Sequence, residues 1–161
     1  MNKKTVNILI IDDEEIIHQA IKTTLIPTAR EEEIDLNFLG INEEIKISDE
    51  YDFNLIDAYS GESALIILED KAKKFDVILC DIRMPGGIDG IKTAKKIFEL
   101  YPSQLVIMIS AYSDFDIEEE FRNSLLGYIP PLIRKPFIPE DFISFLTLFI
   151  EKHYHNLIMS R

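Results

Sequence analysis

Short apolar runs alternate along the chain with stretches in which apolar residues recur every three or four positions. Val6-Asn7-Ile8-Leu9-Ile10-Ile11 ends in Asp12-Asp13, and Val77-Ile78-Leu79-Cys80 ends in Asp81. Leu105-Val106-Ile107-Met108-Ile109 ends in Ser110, and the brief Leu132-Ile133 runs into Arg134-Lys135-Pro136. β-Branched residues dominate the first three runs, and their unbroken apolarity predicts strands buried on both faces. A more polar strand fits Phe53-Asn54-Leu55-Ile56. Between these runs helical spacing takes over: Ile16, Ile17, Ala20, Ile21, Thr24 and Leu25; Ala64, Leu65 and Leu68; Ile91, Ala94, Ile97 and Phe98. Ile117, Phe121 and Leu125 share a face from which Glu118, Glu119 and Glu120 mostly turn away. A last helix begins near Pro139-Glu140-Asp141, where proline and acids suit a first turn.

Strand and helix alternating five times predict a parallel sheet wrapped by helices, with right-handed crossovers. The polar second and fifth strands belong at the edges. The expected fold is therefore α/β, a flavodoxin-like doubly wound five-stranded parallel sheet of order 2-1-3-4-5. One segment breaks the repeat. An insertion from about residue 27 to 52 separates the first helix from the second strand; its Ile34-Asp35-Leu36-Asn37-Phe38-Leu39 stretch reads as an extra strand or a short helix. The domain is expected to span residues 1–152, with 153–161 a C-terminal helix extension. Apolar spacing continues through Phe142, Phe145, Leu146, Phe149 and Ile150 to Tyr154, Leu157 and Ile158. The last three are expected to lack an intradomain partner and to mark a homodimer contact or a linker into a downstream effector module. The alternative is that they fold back on the domain or fray.

Composition narrows the class. With 161 residues, 47% hydrophobic and 29% charged, the chain fits one soluble domain with a sizeable core. Its apolar runs are too short to cross a bilayer, and Met1–Thr5 does not lead into a secretory signal, so no membrane association is expected. Cys80 is the single cysteine, which points to a reducing, cytoplasmic setting. The net charge of −12 disfavours direct nucleic-acid binding and suits a metal cation or a basic partner surface.

In parallel α/β sheets, ligands bind at the carboxyl ends of the strands, where strand order reverses. Asp12 and Asp13 follow the first strand and Asp81 the third, its neighbour; Ser110 and Lys135 close the fourth and fifth. Clustered carboxylates need a cation, and hard oxygen ligands suit Mg2+. A lysine and a hydroxyl opposite would hold phosphoryl oxygens, and Asp81 could attack phosphorus to form an acyl phosphate. Each residue alone has a plainer reading: Asp13 as a helix cap, Asp81 as a strand end, Lys135 as a solvated charge, Ser110 as an ordinary hydroxyl. Their shared placement at one rim sets those readings aside. Cys80 should point away as a buried thiol, and His18, His153 and His155 show no catalytic or metal-ligand spacing, which leaves them surface or packing roles.

Ile10-Ile11-Asp12-Asp13-Glu14, Leu79-Cys80-Asp81-Ile82-Arg83-Met84-Pro85, Ile109-Ser110-Ala111 and Lys135-Pro136-Phe137, in this order, resemble the receiver domains of bacterial two-component response regulators. The resemblance implies Asp81 as phosphoacceptor, served by a sensor histidine kinase or phosphotransfer protein. It implies Mg2+ bound by Asp13, Asp81 and the backbone carbonyl of Arg83, with Asp12 acting largely through water. Ser110, the amide of Ala111 and Lys135 would hold the phosphoryl oxygens. Arg83 and Tyr112 would flank the hydrolytic water and tune dephosphorylation. It also implies a cis peptide before Pro136. Three departures stand out: a loop from Pro85 to Gly90 about one residue longer than usual, Leu132 where the aromatic switch residue stands, and the insertion.

A receiver catalyses only its own phosphorylation and dephosphorylation, so it is not an enzyme of turnover. The competing reading is a Mg-dependent phosphohydrolase working through an aspartyl phosphate. Haloacid-dehalogenase-like hydrolases place a second aspartate two residues after the nucleophile; Arg83 occupies that position here. A P-loop nucleotide binder is excluded by the lack of a Gly-rich Walker motif.

Overall fold

β1 (Lys4–Ile11) and β3 (Val77–Asp81) lie side by side in the sheet, and the apolar stretches Ile8–Ile11 and Val77–Cys80 are buried on both faces. The computed structural model describes residues 3–26, 50–111, 116–122 and 128–159, with residues 157–159 described as backbone only. The remaining strands are β2 (Tyr51–Ala58), β4 (Val106–Ser110) and β5 (Leu132–Arg134). All pairings are parallel and the order is β2-β1-β3-β4-β5, as the alternation of runs and periods predicts. β2 starts at Tyr51, not Phe53, so Tyr51 and Asp52 belong to the sheet and not to the insertion. They pair with Lys4 and Thr5 of β1, and that pairing extends a strand whose local sequence is too polar to mark its own start. Residues 27–49 of the insertion lie outside the described residues, as do Tyr112 and Leu125.

Alternation along the strands divides the core in two. Ile8, Ile10, Leu79, Ile107 and Ile109 face α1 (Glu15–Leu25) and α5 (Pro139–Met159). Leu9, Ile11, Ile78, Cys80, Val106 and Met108 face α2 (Gly61–Glu69), α3 (Gly90–Leu100) and the short α4 (Ile117–Arg122). Ser60 and Ser63 close a reciprocal cap on α2, and the Asp89 carboxylate accepts from Lys92 N at the start of α3. A side chain at Gly90 would meet the Asp81 carbonyl oxygen at 1.7 Å, so only glycine lets α3 begin directly under the end of β3. Gly86 adopts φ 91° in the preceding loop, a left-handed turn that favours glycine.

Ile16 and Ala20 share the helical period of α1 but face outward, Ile16 at 68% exposure, while His18, Ile21 and Leu25 form the inward face. Tyr154 is not unpartnered. It packs against the core cluster beside α1, its hydroxyl donates to Asp76, and Lys4 Nζ lies 3.3 Å above its ring. Asp76 in turn accepts from Asn7 N at 2.8 Å, so the contact ties α5 to the joint of β1 and β3. The expectation for Leu157 and Ile158 falls on side chains outside the described set. Tyr154→Phe should lower unfolding stability by about 1 kcal/mol through the lost hydroxyl bond. Cutting after Lys152 should lower it further in urea melts; an unchanged midpoint would place this turn outside the folded body.

Among the described residues, no helix is long and apolar enough to cross a membrane.

Candidate functional site

The register of β1 on β3 pairs Ile11 with Cys80, so Asp12 and Asp81 emerge side by side just beyond it. Both are buried, Asp12 to 1% and Asp81 to 6% exposure. Lys135 follows β5 and reaches across the sheet end, donating to Asp12 Oδ2 at 2.6 Å and to Asp81 Oδ1 at 2.7 Å. The Lys135–Pro136 peptide is cis, and Lys135 N donates to the Ser110 carbonyl at 2.8 Å, which binds the end of β5 to the end of β4. Asp81 Oδ2 accepts from Arg83 N at 2.9 Å, and Asp12 Oδ1 accepts from Glu14 N at 2.9 Å. Glu14 stands at the cap position of α1 and Asp12 supplies the accepting carboxylate, so Asp13 is not the cap. Asp13 and Arg83 are exposed at the same rim, and Ser110 is buried beneath it.

Two buried carboxylates share one ammonium. Burial, aided by the nearby charge of Asp12, holds the Asp81 carboxyl above the ordinary aspartate range, while Lys135 pulls the other way. Burial also opposes the Lys135 ammonium, but the bonds and charges of Asp12 and Asp81 outweigh it and keep Lys135 above the usual lysine range. Asp12 and Asp81 thus present carboxylate oxygens to one lysine, with Asp13 exposed beside them. That donor chemistry fits a hard divalent cation that keeps several waters. Among the described residues no group of three or more His, Cys, Asp or Glu side chains is placed to hold a metal ion, so Asp12, Asp13 and Asp81 do not form such a group by themselves. Cys80 is fully buried on the opposite face of β3, with its thiol pushed up by burial, and takes no part in the pocket.

A family profile described as "Response regulator receiver domain" matches residues 32–147. The chain belongs to the response regulator receiver family. The matched span begins after β1, so the case for Asp12 and Asp13 rests on their place at the sheet end. The receiver is 37% identical over 78 residues to the transcriptional regulatory protein ZraR of Salmonella typhimurium, covering 48% of this chain and 17% of that protein. It is 35% identical over 97 residues to the DNA-binding transcriptional regulator NtrC of Escherichia coli, covering 59% and 19%. The matches thus span less than a fifth of these two relatives. In fold, a signal receiver domain of an HD domain-containing protein from Pseudomonas fluorescens superposes with TM-score 0.69 at 20% identity, covering 94% of this chain and 99% of that one. A CheY-like receiver from Methanospirillum hungatei gives TM-score 0.67 at 22% identity, covering 95% and 99%.

The receiver also holds a polar group that periodicity does not reveal. His18 is fully buried, with Nδ1 2.8 Å from Asp57 Oδ1 and Nε2 2.8 Å from the Asp12 carbonyl oxygen. Each ring nitrogen thus has an oxygen partner, one on β2 and one at the end of β1. Lys22, one turn along α1, also donates to Asp57, and the Tyr59 ring lies 4.5 Å from His18. Burial disfavours the Asp57 carboxylate, yet Lys22 and His18 hold it below the ordinary aspartate range. The i, i+4 spacing of His18 and Lys22 on one helix was the available signal; the partner on β2 was not.

Proposed function

We propose that this receiver accepts a phosphoryl group on Asp81 from a sensor histidine kinase or phosphotransfer protein, in a Mg2+-dependent reaction, and thereby switches an output surface. The observation that carries the reading is the buried Asp12–Lys135–Asp81 constellation at the carboxyl ends of β1, β3 and β5. Asp81 Oδ attacks phosphorus as the bond to the donor breaks, and the donor leaves with the electron pair. Lys135, the Ser110 hydroxyl and the Ala111 amide hold the phosphoryl oxygens. Asp13, Asp81 and the Arg83 carbonyl would hold the cation, with Asp12 acting largely through water; when bound, Mg2+ would supply the positive charge that carboxylates and phosphoryl group jointly need. Cytoplasmic residence is part of the same proposal, supported by the single, buried Cys80.

The test is intact mass after exposure to a small phosphodonor with and without Mg2+. A phosphoryl adduct should form only with the cation, and an unchanged mass under conditions that preserve acyl phosphates overturns the reading. Leu132, at the switch position, is half-buried and packs against the core beside α3 and α4. It has no hydroxyl to offer, so Leu132→Tyr should leave adduct formation intact in the same assay.

Arg83 and Tyr112 are assigned to the approach of the hydrolytic water. Both are large, and in-line attack needs room. Small residues at both positions should speed loss of the adduct, read as its half-life; an unchanged or longer half-life removes the assignment. The helix past Tyr154 is assigned to self-association or to a linker into an effector module. Light scattering on the full chain and on the chain cut after His155, which keeps the Tyr154 contacts, tells these apart, because self-association weakens on cutting and a linker leaves the mass unchanged.

A further inference from the structure

The chemistry above makes no use of His18, although its position is among the most constrained in the molecule. The ring is fully buried and contacts three elements: its own helix α1, the end of β1 through the Asp12 carbonyl, and β2 through Asp57. The ladder between β1 and β2 runs out at Ile11 and Ala58. Asp12 N still donates to the Ala58 carbonyl at 3.1 Å, but the Asp12 carbonyl is already beyond the last strand pairing. His18 Nε2 takes over there as donor. Asp57 fixes the ring from the other side and is itself held by Lys22.

We infer that His18 is a positioning residue of the acidic pocket: it anchors the Asp12 peptide, and through it the carboxylate that shares Lys135 with Asp81. The inference rests on the reading of that pocket as a cation and phosphoryl site. The Asp12 side chain is one bond from the anchored peptide, and its two oxygens are already committed to Glu14 N and Lys135 Nζ. A peptide free to rotate carries that carboxylate with it, and Lys135 must then follow Asp12 or Asp81. Groups that orient ligating residues from behind commonly set cation affinity without touching the cation. A buried histidine kept only for packing would behave differently, since its loss would cost stability and leave the pocket's geometry alone.

The experiment uses the full chain, the metal ion alone as probe, and backbone amide NMR. Glu14 N–H reports on the Asp12 carboxylate, and Arg83 N–H on that of Asp81. His18→Phe keeps a ring and removes both nitrogens. It should shift the Glu14 amide in the free protein and raise the half-saturating Mg2+, followed through the same amides, by about tenfold or more. His18→Gln, which restores one donor, should recover part of the affinity. In an Asp12→Asn background, His18→Phe should have little further effect. Asp57→Asn loosens the ring without emptying its pocket and should move the same signals in the same direction, so the outcome does not depend on His18→Phe folding. A lowered melting temperature with unchanged Glu14 shift and Mg2+ midpoint overturns the inference, as does an equal loss of Mg2+ affinity with and without the Asp12 carboxylate. Because none of these signals needs a phosphodonor, failure of phosphoryl uptake in the wild type refutes the proposed function separately.

Discussion

Asp81→Asn takes up no phosphoryl group from a small donor with Mg2+, while the wild type does. An amide oxygen is a poor nucleophile and its acyl phosphate analogue does not form, so the effect is all-or-none in intact mass. The same substitution should raise thermal stability at neutral pH. Burial, with the neighbouring charge of Asp12, places the Asp81 carboxyl above the ordinary aspartate range, so the folded protein binds the proton more tightly than the unfolded chain does. The sign follows: ionised Asp81 costs stability at and above its folded range, and that cost disappears below the unfolded range, near pH ~4. Asn removes the cost and leaves Lys135 paired with Asp12 alone. The melting-temperature gain should therefore be present at pH 7 and fade in acid. A variant that still gains the phosphoryl mass moves the acceptor elsewhere; a variant less stable at pH 7 shows that Asp81 holds the sheet end together.

Lys135→Met works in the opposite direction on stability. The methionine side chain fills much of the volume of the lysine stem, but the ammonium that Asp12 and Asp81 share is gone. Two carboxylates, at 1% and 8% side-chain exposure, are left facing each other without a counter-charge. Removing one member of a buried ion pair typically costs about 3–5 kcal/mol. The loss should be relieved in acid, where one carboxyl takes up a proton, and by millimolar Mg2+, which supplies the missing charge. Phosphoryl uptake should fall by about a hundredfold or more, the usual scale for deleting a preorganised electrostatic contact to a reacting group. Urea melts at two pH values, with and without Mg2+, and timed mass spectra test both parts. A variant as stable as the wild type at neutral pH, or one that takes up phosphoryl at an undiminished rate, contradicts the role given to Lys135.

Much of this was legible along the chain. Strands buried on both faces leave unbroken apolar runs, and helices leave a period of three to four, so the order of elements and the five-stranded sheet follow from local burial alone. Parallel strands put all their carboxyl ends on one side, so Asp12, Asp13, Asp81, Ser110 and Lys135 could be assigned to one rim without coordinates. What the tertiary structure decided was which groups meet there. Lys135 bonds partners 123 and 54 residues away, and no pattern within a window reports such pairs. It chose Asp12, not Asp13, to accept from the start of α1. It turned α1 so that His18 went inward and Ile16 outward, because Asp57 on β2 and the Asp12 carbonyl satisfy the imidazole, and a satisfied polar ring can occupy a core position that periodicity reserves for an aliphatic one. It folded Tyr154 back onto Asp76 and Lys4, giving the far end of α5 a partner within the domain. In each case the deciding energy lies in pairing groups distant in sequence. A chain read residue by residue shows which groups need partners, and only the packed structure shows where those partners are.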